Sequence, residues 1–231
     1  MAGGWDSVSG HQANIYKSPS NPPSTPFSAD DAMTYYTTVG RIKSEKMVLG
    51  MPIYGRAFLD TDGPGKPYTG VGQPEPGSWE AGTWDYKALP RPGATENYDA
   101  ALMASWSYDS TKKMLITYDT PEAEKRKAEY IKAKGFGGAM WWESSADKKG
   151  DQSLIWVVAN SLGGTGYANL DTTQNLLSYP NSKYANVQRQ FEAADVTVLD
   201  GQDVSVPSVS IEEGVQKPLG ASEGQGDLEE A

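Results

Sequence analysis

Cysteine is missing from this 231-residue chain, and histidine occurs once, at His11. The first absence excludes disulfides and thiolate-held metals, and the second excludes a metal centre built from several histidines. No run of about 18 apolar residues occurs, so no transmembrane helix is predicted. The opening, MAGGWDSVSGHQAN, lacks the basic start and apolar core of a signal peptide. As written, the chain is expected to stay in the cytoplasm by default. It also lacks a basic patch, which argues against nucleic acid as a partner.

The formal net charge of −10 is spread unevenly. From Glu192 onward ten Asp and Glu face the single Lys217, whereas the 20 acids and 19 bases before it nearly cancel. No aromatic residue follows Phe191, and Gly, Ser, Glu and Gln recur. Such a segment buries too little apolar surface to order itself, so 193–231 reads as a disordered acidic tail.

The body before the tail carries clear local signals. STPFSADDAMTYYTTVG predicts a helix with Ser28 as cap, Asp31 three residues on and Gly40 at its end. KMVLGMPIYG is a continuous apolar run, the pattern of a parallel strand buried on both faces, with Pro52 marking a break near its end. MASWSYDSTKKMLITYD predicts a hairpin around a polar turn. TPEAEKRKAEYIKAKG is a second helix: Thr120 caps it, Pro121 sits in its first turn, Glu122 and Glu124 suit its positive end, and Gly135 stops it. Ala123, Lys127, Tyr130, Ile131 and Lys134 would share its buried face. The strand GFGGAMWWES follows, then a helix in DQSLIWVVANSLG and a last short helix around 182–191. Two parallel-type strands separated by a helix make a βαβ unit of an α/β fold, interrupted by a mostly β insertion.

Four stretches carry a resemblance: LGMPIYGRAF (49–58), GSWEAGTWDYKAL (77–89), YDSTKKMLITYDTP (108–121) and GFGGAMWWESSAD (135–147). In this order and spacing they resemble the glycoside hydrolase family 18 chitinases of the fungal endochitinase type, over residues 2 to about 191. The resemblance implies the C-terminal part of a (β/α)8 TIM barrel, an incomplete barrel whose seventh and eighth strands are 46–54 and 136–143. Residues 1–56 would be a barrel segment ending in the seventh strand, and 57–119 an α+β insertion domain. Residues 120–192 would hold the eighth strand and the final helices, followed by the tail at 193–231.

The resemblance also implies a site at the C-terminal ends of those strands. Trp142 would floor the subsite for the sugar being cleaved, with Trp141 packed between barrel and helices. A pyranose offers a face of C–H bonds to a flat ring, and its hydroxyls need partners around the edge. Tyr54 and Arg56, closing the seventh strand, would provide that edge, Glu80 would bind from the insertion, and Met140 would line the pocket. The substrate class implied is chitin or N-acetylglucosamine oligomers, cleaved with retention and substrate assistance, without metal or organic cofactor.

The family's acid-bearing D-x-x-D-x-D-x-E stretch has no counterpart in these residues, so no catalytic residue is assigned. DGQDVSVP (200–207) offers two aspartates and then Ser205 and Pro207. Glu143 follows Trp142 and is expected to point away from the pocket. Trp79 and Trp84 read as core of the insertion, Trp5 as a neighbour of the groove, and His11 as a loop histidine with a hydrogen bond. Three functions remain open. The chain is the C-terminal portion of a chitinase completed by a separately supplied N-terminal barrel part, a non-catalytic chitin-oligosaccharide binder, or a truncated remnant without function.

Overall fold

The computed structural model describes residues 3–164 and 179–184. The chain divides into two compact units, Met1–Asp171 and Thr172–Ala231. In the second, the described residues form a turn closed by the Ser182 N–H donating to the Tyr179 carbonyl at 2.9 Å. All elements named below belong to the first. Most of the helix expected around 182–191, and the whole acidic tail, lie outside the described residues.

Helix α1 (Ala29–Thr38) begins as the sequence predicts, with the Asp31 N–H donating to Ser28 Oγ at 3.2 Å. None of its residues is fully buried. It is held from Asp30, whose carboxylate accepts from the Tyr130 hydroxyl and pairs with Lys134, each at 2.8 Å.

Strand β1 (Val48–Pro52) is shorter than the run 46–54. Pro52 has no N–H to donate, Ile53 N–H still reaches the Trp142 carbonyl at 2.9 Å, and from Tyr54 the chain passes into another sheet. Tyr54 and Arg56 therefore do not close β1; they open β2 (Tyr54–Phe58). Burial on both faces is also corrected. Leu49 and Met51 are buried while Val48 and Gly50 are exposed, because the helices and the opening loop cover one face of β1 only among the described residues.

Strand β2 runs through a five-stranded antiparallel sheet with β3 (Thr83–Asp85), β4 (Thr95–Asp99), β5 (Ala104–Asp109) and β6 (Met114–Thr117), in the order β3-β2-β6-β5-β4. The predicted hairpin is β5–β6, and Asp109 Oδ1 shapes its turn by accepting from the N–H groups of Thr111 and Lys112. Gly55 lies where a Cβ would stand 2.6 Å from Ile116 Cγ2 and 2.8 Å from Leu89 Cδ1, so no side chain fits. The sheet's main core joins Ile53, Ala57, Trp84, Tyr86, Leu89, Ile116 and Tyr118.

Helix α2 (Pro121–Lys134) is capped by Thr120 Oγ1 and ended by Gly135 at φ +63°. Its buried set is Ala123, Glu124, Lys127, Ala128, Tyr130 and Ile131. Glu124 thus faces inward rather than decorating the helix end, and Lys134 stays at the edge with Asp30. Strand β7 (Gly138–Trp142) pairs in parallel with β1, from Val48 opposite Gly138 to Pro52 opposite Trp142. Helix α3 (Leu154–Leu162) follows, with Ser153 Oγ accepting from the Trp156 N–H at 3.0 Å. A second core, built on Ile15, Leu49, Met51, Ala128, Tyr130, Ile131 and Val158, binds α2 and α3 to the parallel pair. Trp141 packs against both cores. The result is an α/β arrangement with an antiparallel sheet and a separate two-stranded parallel sheet. The described residues close no barrel.

Candidate functional site

The parallel pair and the antiparallel sheet meet where β1 ends. There, β7 delivers Trp142, and β2 delivers Tyr54 and Arg56 two residues apart on one face. An open cavity of about 220 Å³ is lined by Tyr54, Arg56, Glu80, Thr83, Asp85, Trp142, Glu143 and Ala146. Trp142 is 70% exposed at the end of its strand.

The same cavity is lined by a linked set of polar side chains. Arg56 Nη1 donates to Thr83 Oγ1 at 3.2 Å, and the Thr83 hydroxyl donates to Glu80 Oε1 at 2.8 Å. Arg56 and Glu80 are also within 3.8 Å of each other. The guanidinium lies 5.3 Å from the Tyr54 ring centre and 5.2 Å from that of Trp5, while its buried Nε has no partner. Trp5 therefore does approach the cavity. Tyr54 is fixed from behind, where Gln12 Nε2 donates to its carbonyl at 2.5 Å.

Four of the five expected residues come together here: Tyr54, Arg56, Glu80 and Trp142. Met140 shares a face of β7 with Trp142 but stands apart from the cavity, over Gly50. Glu143 corrects the expectation in the other direction. Strand alternation ends at Trp142, and Glu143 instead caps the short turn that follows, accepting from Ser145 N–H at 3.1 Å and Ser145 Oγ at 2.5 Å, on the cavity wall. These bonds, with the nearby Lys87, hold its carboxyl below the usual range. Thr83 and Asp85 were not anticipated. Their place depends on the β2–β3 register, Arg56 opposite Thr83 and Tyr54 opposite Asp85, which no local pattern announces.

The aromatic neighbours divide. Trp84 is core, as expected, but Trp79 is 81% exposed and donates from Nε1 to Asp85 Oδ2 at 2.9 Å. Lys87 also pairs with Asp85 at 3.2 Å. His11 is buried with Nδ1 unpartnered, its ring 5.1 Å from and edge-on to Trp106. Among the described residues no group of three His, Cys, Asp or Glu could hold a metal ion, and none of their helices is long and apolar enough to cross a membrane.

The cavity thus combines an exposed indole with hydrogen-bonding groups, and the chain's similarities fall in one class. Residues 1–147 match the family model for Glycosyl hydrolases family 18. The chain belongs to that family. It is 50% identical over 190 residues to Endochitinase 1 of Metarhizium robertsii, covering 82% of this chain and 43% of that protein. Against Chitinase 1 of Aphanocladium album it is 50% identical over 188 residues, covering 81% and 42%. Among solved structures it is similar to the catalytic domain of psychrophilic chitinase B from Arthrobacter TAD20, with TM-score 0.60 and 34% identity, covering 70% of this chain and 36% of that one. It is also similar to YKL-39, solved in the presence of chitooligosaccharides (GlcNAc4), with TM-score 0.63 and 25% identity, covering 71% and 48%. The chain spans less than half the length of the curated relatives it matches.

Proposed function

We propose that this chain supplies one wall of a chitin-oligosaccharide groove, as the C-terminal portion of a family 18 chitinase. The observation that carries the reading is the cavity itself, whose lining combines the exposed ring of Trp142 with the linked Arg56, Thr83 and Glu80 side chains. The ring takes the C–H face of a sugar, and the polar side chains exchange hydrogen bonds with its hydroxyls and acetamido group. In this reading β1 and β7 are the seventh and eighth barrel strands, the antiparallel sheet is the insertion, and Met140 lines the groove only when the neighbouring wall is present.

The groups on the cavity wall bind sugar and do not cleave it. Glycoside hydrolysis needs a protonated acid near the leaving oxygen. Glu143 is held ionised by Ser145, Asp85 is occupied by Trp79 and Lys87, and Glu80 is tied to Arg56 and Thr83. Hydrolysis accordingly requires an acid from elsewhere, such as a separately supplied N-terminal barrel part.

Titration of the purified chain with the N-acetylglucosamine tetramer tests this. A tryptophan fluorescence change that disappears in Trp142→Ala is the expected result. No change in the unsubstituted chain would sink the reading of it as an oligosaccharide binder on its own. Turnover of a fluorogenic chitobioside by the chain alone, lost in Trp142→Ala, would overturn the non-catalytic assignment. The same turnover appearing only after mixing with an N-terminal part of a family member would establish completion in trans.

A further inference from the structure

Beside the cavity stands a second large ring that the Trp142 reading does not use. Trp79 is 81% exposed, yet it is not a loose side chain. Its Nε1 donates to Asp85 Oδ2 at 2.9 Å, and the same oxygen lies 3.2 Å from Lys87 Nζ. Asp85 is buried and lines the cavity, as does Glu80, the residue after Trp79. Consecutive Cα atoms are about 3.8 Å apart, so the backbone that carries Trp79 adjoins the cavity wall. An isolated exposed ring needs no explanation, but this one shares its anchor with the cavity.

The loop that carries the ring is braced from several directions. Ser78 is buried; its N–H donates to the Glu75 carbonyl at 2.7 Å and its hydroxyl to the Glu80 carbonyl at 2.9 Å. The Asp85 N–H reaches the Gly77 carbonyl at 2.8 Å, and the Thr83 N–H reaches the Glu80 carbonyl at 3.0 Å. Gly77 sits at φ +92°, where a Cβ would stand 2.6 Å from that of Ala88, so the loop's entry requires glycine. The indole N–H is satisfied within the protein, and the ring has no other polar atom to offer. What it presents is an apolar face, held in place before any ligand arrives, so little ordering is left for binding to impose. Asp85 and Lys87 offset each other's charge. The ligand that suits such a place is uncharged and has an apolar face of its own, as a neutral sugar does.

We propose that Trp79 is a second sugar-stacking ring, holding a sugar residue beyond the one on Trp142, a role that rests on the reading of the cavity as a sugar-binding wall. Asp85 is the positioning residue for this ring, through the hydrogen bond it accepts from the indole. The wall then favours an oligomer over a single sugar, and that preference resides in Trp79.

Calorimetry on the full chain, with the N-acetylglucosamine tetramer and with the monosaccharide, tests this. In Trp79→Ala the preference for tetramer over monosaccharide should fall about tenfold, the scale of one aromatic stacking contact. Trp79→Phe, which keeps a flat face, should retain most of it. Asp85→Ala should lower the preference as well, and Asp85→Asn, which keeps an acceptor for the indole N–H, should restore it. An unchanged preference in Trp79→Ala, beside binding that Trp142→Ala abolishes, overturns the proposal and leaves the cavity reading intact. Equal losses for tetramer and monosaccharide in Trp79→Ala overturn it too, because the ring would then act on the Trp142 place through Asp85. Failure of Asp85→Asn to restore the preference removes the positioning role. Should Trp79→Ala not fold, magnetisation transfer in NMR from the bound tetramer's C–H protons to the Trp79 ring decides: its presence supports the proposal and its absence overturns it. Should the unsubstituted chain bind no tetramer, the reading of the chain as a binder on its own falls, and this proposal with it.

Discussion

The two sheets of this molecule solve the same problem in different ways. The antiparallel sheet surrounds its own core: Phe58, Leu115 and Ile116 are at most 1% exposed, and short turns join β4 to β5 and β5 to β6. The parallel pair has two strands, and its burial comes from α2, α3 and the opening loop on one side. On the other side Val48, Gly50, Met140 and Trp142 face outward. Parallel strands ordinarily lie inside larger sheets covered on both faces. The contrast teaches that one sheet is a structure and the other is a surface, and the exposed ring of Trp142 belongs to the surface.

Substitutions on each side can break or sharpen that contrast. The largest effect is expected from Phe58→Ala, which empties a site packed against Leu115 and Tyr68 and should cost about 3–5 kcal/mol in a denaturant titration. Of similar size is Lys127→Ala on the parallel side, at about 3–5 kcal/mol, because Asp119 is left buried without its cation. A double substitution that also replaces Asp119 by Asn should recover much of that loss. If it does not, Lys127 matters through its bond to Ala13 rather than through its charge.

His11 ties the opening loop to the antiparallel sheet through Trp106, and its effect depends on pH. Burial, opposed by the charge of Asp99, lowers its pKa from 6.5 to about 4. The unfolded chain therefore takes up a proton that the folded chain refuses. Stability is full above pH 6.5 and declines as pH falls toward 4, by up to about 3 kcal/mol. Glu124 works with the opposite sign, since its raised pKa costs stability as pH climbs above the ordinary carboxylate value. Thermal melts of His11→Leu should be flatter than those of the unsubstituted chain between pH 6.5 and 4. The smallest effect belongs to Val48→Thr on the bare face of β1, within about 0.5 kcal/mol. A large loss there would mean that this face is covered in solution.

Local chemistry made much of this legible. Ser28, Thr120 and Gly135 mark helix ends because caps and left-handed stops act within a few residues. The β5–β6 hairpin announces itself through the Asp109 turn for the same reason. Trp142 stood out as a flat ring at a strand end, and the four family stretches brought Tyr54, Arg56 and Glu80 with it. What stayed hidden needed a partner from far along the chain. Trp79 could not be told from Trp84 by composition, yet one is exposed and the other buried. Glu124 has a reasonable surface role at a helix start, and only the packing of α2 on β7 reveals that it is enclosed.

The sequence by itself determined the helix caps, the β5–β6 hairpin, the family and the tryptophan at the end of β7, because capping, turn chemistry and hydrophobic patterning are short-range. Tertiary structure decided which side chains share a cavity. The β2–β3 register set Thr83 and Asp85 beside Arg56 and Tyr54, and the crossing after Pro52 carried both of these out of the parallel pair. It also decided which way each carboxyl is pushed, since the Glu143 side chain meets hydrogen-bond donors that lower its pKa, whereas burial and then the charge of Asp119 raise that of Glu124. Register, burial and field are properties of neighbours in space, and a linear pattern contains none of them until the chain has folded.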